Sequence, residues 1–341
     1  MKSDTTLYAI ANGKLVCLHP DNKAAQWETS VVYEKHRVQA LVVHPRNKNL
    51  LLMGTQHESL LLSRDAGKTW EPPDFPASNV FSVSISPADG SFYAGCEPSA
   101  LYKSTDEGKT WIALDSLLEA PSAKHWSFPP RPNTSHVRWI APNPVSAELL
   151  VIGIEAGALL VSFDGGKTWA DRPPGASHDT HHLAWDMKDP QRIYQAAGDS
   201  PKLSNDGGLT WQTAPGKIPK KYTFGMAASQ DEPGTWFISA SPSAFAAHRS
   251  SQANATIYRW RHNGPWEPLT NGLPENLSSL PWCMLALKGY MLVGTHAGAL
   301  YQSTDQGESW KKIAIDDGVF ANLESLIAFN GSPGPVVLVT D

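Results

Sequence analysis

The strongest constraint on this chain is an eight-residue pattern, Ser-x-Asp-x-Gly-x-Thr/Ser-Trp, that occurs five times. A repeat that covers most of a chain sets its architecture and is interpreted before any single residue. Each copy follows a short apolar run, such as "ALLV" before Ser162, and precedes a second extended segment. We therefore predict that each copy is the turn of a β-hairpin.

The residue types of the pattern suit a turn. Asp accepts hydrogen bonds from backbone N–H groups, and Gly adopts a positive φ without a Cβ clash. Trp presents a large ring for packing beside the hairpin. A catalytic residue is needed once per site and not once per repeat, so we predict a structural role for the five aspartates. These are Asp65, Asp106, Asp164, Asp206 and Asp305.

The five turns resemble the Asp-box, or BNR, repeat of sialidases, sortilin-type receptors, xyloglucan-cleaving enzymes and photosystem II assembly factors. The resemblance implies an all-β fold, a β-propeller of the sialidase-like or BNR-repeat glycosyl-hydrolase-like superfamily. It implies no activity, because those families have unrelated functions. Sialidase activity is not expected, since the Arg-Ile-Pro motif of sialidases is missing from the sequence.

Seven segments have the character of inner propeller strands, and we predict one propeller domain of seven blades over residues 1–341; six or eight blades are the alternatives. N- and C-terminal strands share one blade, which closes the ring and removes an exposed sheet edge. Two segments, "TLYAIA" and "PVVLVTD", compete for one strand position in that blade. The predicted blades are about 38–77, 80–134, 136–179, 181–221, 223–279, 282–316, and 323–341 with 1–30.

The repeated turns should all lie on one rim, here called the bottom rim. The opposite top rim is then formed by the starts of the inner strands, the loops leading into them, and the turns between second and third strands. Nine of the twelve histidines fall there, so we predict that the functional site lies on this rim. They are His36, His57, His125, His136, His178, His181, His182, His248 and His296.

Histidines and carboxylates that converge on one axis can bind a divalent metal with one position left open. We predict His36, His125, His136 and His181 as ligands of zinc, iron, copper or manganese. Glu155 and His182 are the predicted catalytic groups of a metal-dependent hydrolase or lyase. Arg37 and Arg138 would hold a small anionic substrate, and the remaining predicted substrate contacts are Tyr222, Trp282 and His296.

Other interpretations stay open at this stage. The arginines fit rim salt bridges equally well, and the aromatic residues fit packing between blades. Under these interpretations the chain is a non-catalytic propeller that binds a protein or small molecule through its top rim. A third reading is a glycoside hydrolase with paired carboxylates chosen from Glu97, Glu155 and Asp199.

Composition excludes several classes of partner. The net charge is −5 with no basic stretch, which argues against nucleic acid and anionic lipid. No apolar run reaches 18 residues, so no membrane span is expected. The absence of an export signal and the three scattered cysteines, Cys17, Cys96 and Cys283, predict a cytoplasmic protein. The substrate, the reaction and the oligomeric state do not follow from the sequence.

Overall fold

The computed structural model describes residues 6–20, 27–129, 133–249, 251–315 and 322–329. These residues form seven antiparallel sheets, each one blade of a β-propeller, and the prediction of seven blades is confirmed. The strands are β1 (Thr6–Ala11), β2 (Lys14–Pro20), β3 (Trp27–Tyr33), β4 (Val38–His44), β5 (Asn47–Thr55), β6 (Leu60–Ser63), β7 (Val80–Ile85), β8 (Phe92–Cys96), β9 (Leu101–Ser104), β10 (Ile112–Ala113), β11 (Val137–Pro142), β12 (Leu150–Ile154), β13 (Ala158–Ser162), β14 (Ala170–Asp171), β15 (Thr180–Trp185), β16 (Ile193–Ala197), β17 (Lys202–Ser204), β18 (Gln212–Thr213), β19 (Tyr222–Ala228), β20 (Thr235–Ser241), β21 (Thr256–Arg261), β22 (Trp266–Pro268), β23 (Pro281–Leu287), β24 (Tyr290–Thr295), β25 (Leu300–Ser303), β26 (Lys311–Ile313) and β27 (Leu323–Phe329).

In the described part of the chain, helical structure is confined to loops. The α-helix α1 spans Ala244–Ala247, and two 3-10 turns span Asp115–Glu119 and Ala123–His125. Across the described residues, no helix has both the length and the apolar character that a membrane span requires.

Blades two to six follow the chain, in the orders β7 to β10, β11 to β14, β15 to β18, β19 to β22, and β23 to β26. The first blade has three strands, β4 to β6, and an isolated bridge between Leu62 and Glu71 extends it. The inner strands β7, β11 and β23 are buried along their whole length, because neighbouring blades pack on both of their faces. The short fourth strands of blades two and four are exposed instead.

The closing blade has the strand order β27-β1-β2-β3, so strands from both ends of the chain complete one sheet, as predicted. Strand β1 pairs with β27 on one side and with β2 on the other. The segment "TLYAIA" therefore takes the contested strand position, and "PVVLVTD" lies outside the described residues.

The five repeated turns share one set of hydrogen bonds. In each, the Ser hydroxyl donates to the Asp carboxylate at 2.7–2.9 Å, and the backbone N–H four residues after the Asp donates to it at 2.9 Å. The Thr or Ser hydroxyl donates to the second carboxylate oxygen of the Asp at 2.5–2.7 Å. Every turn joins a third strand to the segment of the fourth, so all five lie on the same rim. The aspartates are thus engaged within their own turns.

Candidate functional site

Blade three supplies one half of the candidate site. His136 lies immediately before the inner strand β11, and Arg138 lies two residues later on the same side of that strand. Glu155 begins the turn between β12 and β13, which brings its carboxylate back toward the start of β11. The top rim of blade three therefore brings two basic side chains and one acidic side chain together.

Blade four supplies the other half, through Asp179 and His181 at the start of β15. The blades can approach closely here because β12 carries Gly153. A Cβ at Gly153 would lie 2.6 Å from the Thr180 methyl carbon, so any side chain there would push β15 away. This glycine sets the distance between Glu155 and the blade-four residues.

Glu155 is the acceptor of a buried ion-pair network. His136 Nε2 donates to Glu155 Oε2 at 2.6 Å, and Arg138 Nη1 donates to the same oxygen at 3.1 Å. All three residues are buried. Burial by itself raises the pKa of Glu155, but the Arg138 charge and the His136 hydrogen bond outweigh it and hold that pKa far below its usual range. Glu155 is therefore ionised throughout the physiological pH range.

Aromatic rings surround this network. The His136 ring stacks on Phe81 with centroids 3.8 Å apart and meets Phe128 edge-on at 4.9 Å. The guanidinium of Arg138 lies 5.2 Å from the ring centroid of Phe224 on β19. Rings on both sides exclude water from the ion pair, which strengthens it.

His181 is oriented by the backbone of the next blade. Its Nδ1 lies 2.6 Å from the carbonyl oxygen of Thr223, and since a carbonyl only accepts, Nδ1 carries the proton. Nε2 faces the site, 3.6 Å from Asp179 Oδ1 and 3.4 Å from the Tyr222 hydroxyl. The Tyr222 hydroxyl in turn contacts His248 Nε2 at 2.7 Å.

The two halves converge. Ligand-type atoms of Glu155, Asp179 and His181 all lie within 4.8 Å of one another. Asp179 is the accessible member, with 39% of its side chain exposed, whereas the side chain of Glu155 is only 6% exposed. Two carboxylates in unlike environments beside an oriented imidazole can serve either as an acid–base pair or as ligands of a cation.

The predicted quartet of metal ligands does not assemble. His36 contacts Glu58 at 3.7 Å, and His125 is exposed on a 3-10 turn. His181 belongs to the converging group, and His136 reaches it only through Glu155. His125 lies in the loop between β10 and β11, where the sequence assigns a residue to a rim but does not fix the direction of its side chain.

Arg37 and Arg138 do not meet as a clamp for one anion. Arg37 Nη2 pairs with Glu324 on β27 at 2.7 Å, whereas Arg138 pairs with Glu155 and is buried. Each guanidinium thus has a carboxylate partner within the protein, as the salt-bridge alternative expects.

His182 points away from Glu155, because successive side chains of a strand alternate between its faces. Its ring stacks on Trp139 at 3.7 Å and lines a small cavity of about 50 Å³ in the central channel. Burial, and then the charge of Arg138, lower the pKa of His182 to about 3, so it is neutral. This location separates His182 from the group of Glu155, Asp179 and His181.

Of the three predicted substrate contacts, Tyr222 touches that group, whereas Trp282 and His296 line a separate cavity. Tyr222 touches His181, as described above, and Trp282 stacks on His296 with centroids 4.2 Å apart. Trp282 and His296 line a cavity of about 280 Å³ on the top rim. Trp282 is nonetheless 7% exposed and also packs against Phe224, so packing accounts for much of its surface.

Comparison with known proteins identifies relatives of the fold. No family model matches this chain. A probable oligoxyloglucan-reducing end-specific xyloglucanase of Neosartorya fischeri is 28% identical over 216 residues, which cover 50% of this chain and 26% of the relative. This chain therefore spans only about a quarter of the length of the xyloglucanase that it matches.

Two solved structures resemble the whole propeller. An ancestral GH74 enzyme has a TM-score of 0.61 at 18% identity, over 85% of this chain and 38% of that chain. YCF48 bound to D1 peptide has a TM-score of 0.62 at 17% identity, over 90% of this chain and 93% of that chain. At such identities the likeness establishes a seven-bladed β-propeller and does not transfer an activity.

Among the carboxylates considered from sequence, only Glu155 is part of the converging group. Asp199 pairs with Lys202 at 3.2 Å, and Glu97 contacts Asn79 at 3.4 Å. The second carboxylate, Asp179, was missed although it stands in "HDTHH", two residues before His181. Period-two alternation near a strand start puts Asp179 and His181 on one side, and that signal was available.

The cysteines do not add a nucleophile. Cys17, Cys96 and Cys283 are all buried and carry no disulfide within the described residues. Burial raises the pKa of Cys17 to about 11 and that of Cys96 to about 12, and it raises the pKa of Cys283 as well. Buried thiols of this kind are protonated and unreactive.

Proposed function

We propose that this chain is a glycoside hydrolase whose catalytic carboxylates are Glu155 and Asp179 on the top rim. The observation that carries the proposal is the approach of these two groups, since one carboxylate oxygen of each lies within 4.8 Å of one oxygen of the other. Retaining glycosidases hold their two carboxyl groups about 5–5.5 Å apart. The partial similarity to a xyloglucan-cleaving enzyme supports the same reaction class.

The surroundings of the two carboxylates assign their roles. Glu155 stays ionised because Arg138 and His136 lower its pKa, which suits a nucleophile. Both hydrogen bonds end on Oε2, so Oε1 is the oxygen we assign to attack. Asp179 is the more exposed group and lies beside His181, which suits an acid that must reach the leaving group and then water.

The reaction then has two balanced steps. Glu155 Oε1 bonds to the anomeric carbon while the glycosidic C–O bond breaks, and Asp179 gives its proton to the leaving oxygen. Asp179, now ionised, takes a proton from water, which attacks the anomeric carbon and releases Glu155. His181 and Tyr222 act as positioning residues for Asp179.

A second candidate is a divalent-metal hydrolase, and one observation favours it. The Nδ1–H of His181 is fixed by the Thr223 carbonyl, which is the usual arrangement of a metal-binding histidine. Glu155, Asp179 and His181 would hold the ion in place of the predicted histidine quartet. When bound, zinc or manganese supplies a Lewis acid and an activated water. A cytoplasmic location and the Asp-box identity of the five turns remain predictions.

One assay separates the two candidates. Hydrolysis of a panel of 4-nitrophenyl α- and β-glycosides is measured for the wild type and for Glu155→Gln, Asp179→Asn and the control Asp199→Asn, before and after treatment with EDTA. Loss of an acid–base group costs about 10²- to 10⁴-fold, and loss of the nucleophile prevents the covalent step, so we expect at least a hundredfold loss in the first two variants and none in the control. Chelation should change nothing.

Three outcomes would contradict the carboxylate mechanism. Wild-type protein that hydrolyses no glycoside rules out the proposed reaction class for this panel. Full activity in Asp179→Asn removes that residue from the reaction. Activity that EDTA abolishes and zinc or manganese restores assigns the site to the metal-dependent candidate.

A further inference from the structure

A second pocket opens on the top rim, where blades five and six meet the closing blade. It is a cavity of about 280 Å³, lined by side chains that include His248, Arg249, Ser279, Trp282, His296 and Asn322. Small-molecule pockets span about 300–1,000 Å³, so this one is sized for a single compact unit.

The lining is basic. Arg249 and two imidazoles, His248 and His296, face the cavity, and none of the described lining residues is acidic. Arg249 is exposed, and its guanidinium lies 4.7 Å from the ring centroid of Phe245 on α1. An arginine with its planar fork available is the residue best suited to bind a carboxylate.

The remaining lining suits a hydroxylated ring. Trp282 and His296 form one aromatic wall, stacked with an interplanar angle of 27°. Ser279 and Asn322 add a hydroxyl and an amide, which can each donate and accept hydrogen bonds. A pocket with an aromatic wall, neutral polar groups and an arginine matches a sugar ring that carries a carboxylate.

A chain of side-chain contacts links the cavity to the proposed catalytic pair. His248, which lines it, contacts the Tyr222 hydroxyl at 2.7 Å, and that hydroxyl lies 3.4 Å from His181 Nε2. His181 is in turn 3.6 Å from Asp179 Oδ1. A sugar unit in the cavity would therefore lie on the same rim as the glycosidic bond that Asp179 protonates, with Tyr222 and His181 between them.

We propose that this cavity is a subsite for a uronic acid, so that the substrate is an acidic oligosaccharide. This inference rests on the proposed glycosidase function, and it adds the substrate class to it. Arg249 binds the uronate carboxylate, and the wall formed by Trp282 and His296 packs against the sugar ring.

The test is binding of free sugars, which does not require catalysis. D-glucuronate and D-galacturonate are compared with D-glucose and D-galactose by ligand-observed NMR titration, on the wild type and on Glu155→Gln. A charge-assisted hydrogen bond should favour each uronate about tenfold or more over its neutral counterpart. Arg249→Ala should abolish that preference, and the control Arg64→Ala, an exposed arginine of a bottom-rim turn, should retain it.

Equal affinity for uronates and neutral sugars would overturn the subsite, as would a uronate preference that survives in Arg249→Ala. His296→Ala should weaken uronate and neutral sugar alike, which separates loss of the ring contact from loss of the charge. Uronate selectivity without glycoside hydrolysis would contradict the proposed function alone. Hydrolysis without uronate selectivity would contradict the subsite alone.

Discussion

Glu155 is the residue that links the two halves of the candidate site. It neutralises the buried Arg138 and accepts the hydrogen bond of His136, and it also faces Asp179 and His181. A buried charge is tolerated only when a partner compensates it, because desolvation of an ion costs several kcal/mol. Removing Glu155 leaves the Arg138 guanidinium buried without its counter-charge.

We therefore expect Glu155→Ala to lower the free energy of unfolding by about 3–5 kcal/mol. The double variant Arg138→Met/Glu155→Leu removes both charges and fills the space, so its free energy of unfolding should fall clearly less. Urea denaturation of the three proteins at pH 7 measures the difference. A single variant as stable as the double variant would contradict the view that Arg138 depends on Glu155.

Side chains in strands were easier to predict than those in loops. Strand alternation accounts for the position of Arg138 on the side of His136 and for the orientation of His182 away from His181. His36 and His125 lie outside regular strands, so the sequence could assign them to a rim but not to a direction. Asp179 could have been found by alternation but was missed.

The repeated turns are the elements whose hydrogen bonds predict a dependence on pH. Hydrogen bonds from a Thr hydroxyl and a backbone N–H lower the pKa of Asp65, Asp106 and Asp164 from the ordinary value of 3.8 to about 2. A carboxyl whose pKa is lower when folded stabilises the fold above its unfolded pKa, and this stabilisation is lost as the pH falls through the folded value. The turns should therefore weaken between about pH 4 and pH 2.

Urea unfolding at pH 5, 4, 3 and 2 tests this expectation. The free energy of unfolding should fall across the lower part of the range as the turn aspartates take up protons. The free energy of unfolding of the Asp164→Asn variant should fall less steeply as the pH is lowered, because one such carboxylate is missing. An unchanged free energy between pH 4 and pH 2, or an identical slope in the variant, would contradict the role of these turns.

The architecture of the whole molecule could be predicted because it repeats. Seven inner strands start within two residues of the positions expected from sequence, and the pairing of β1 with β27 closes the ring. The grouping of residues in the candidate site could not be predicted, because it depends on distances between blades that have no sequence signal. The approach of Thr180 to Gly153, which brings Asp179 near Glu155, is the clearest example.

The most direct measurement is peptide mass spectrometry of protein incubated with the 2-deoxy-2-fluoro glycosyl fluoride that matches the best substrate of the panel. Such reagents trap the covalent intermediate of a retaining glycosidase. We predict one fluorosugar bonded to the peptide that carries Glu155, and none in Glu155→Gln. Turnover without an adduct on Glu155, or an adduct on another carboxylate, would contradict the assignment of Glu155 as the nucleophile.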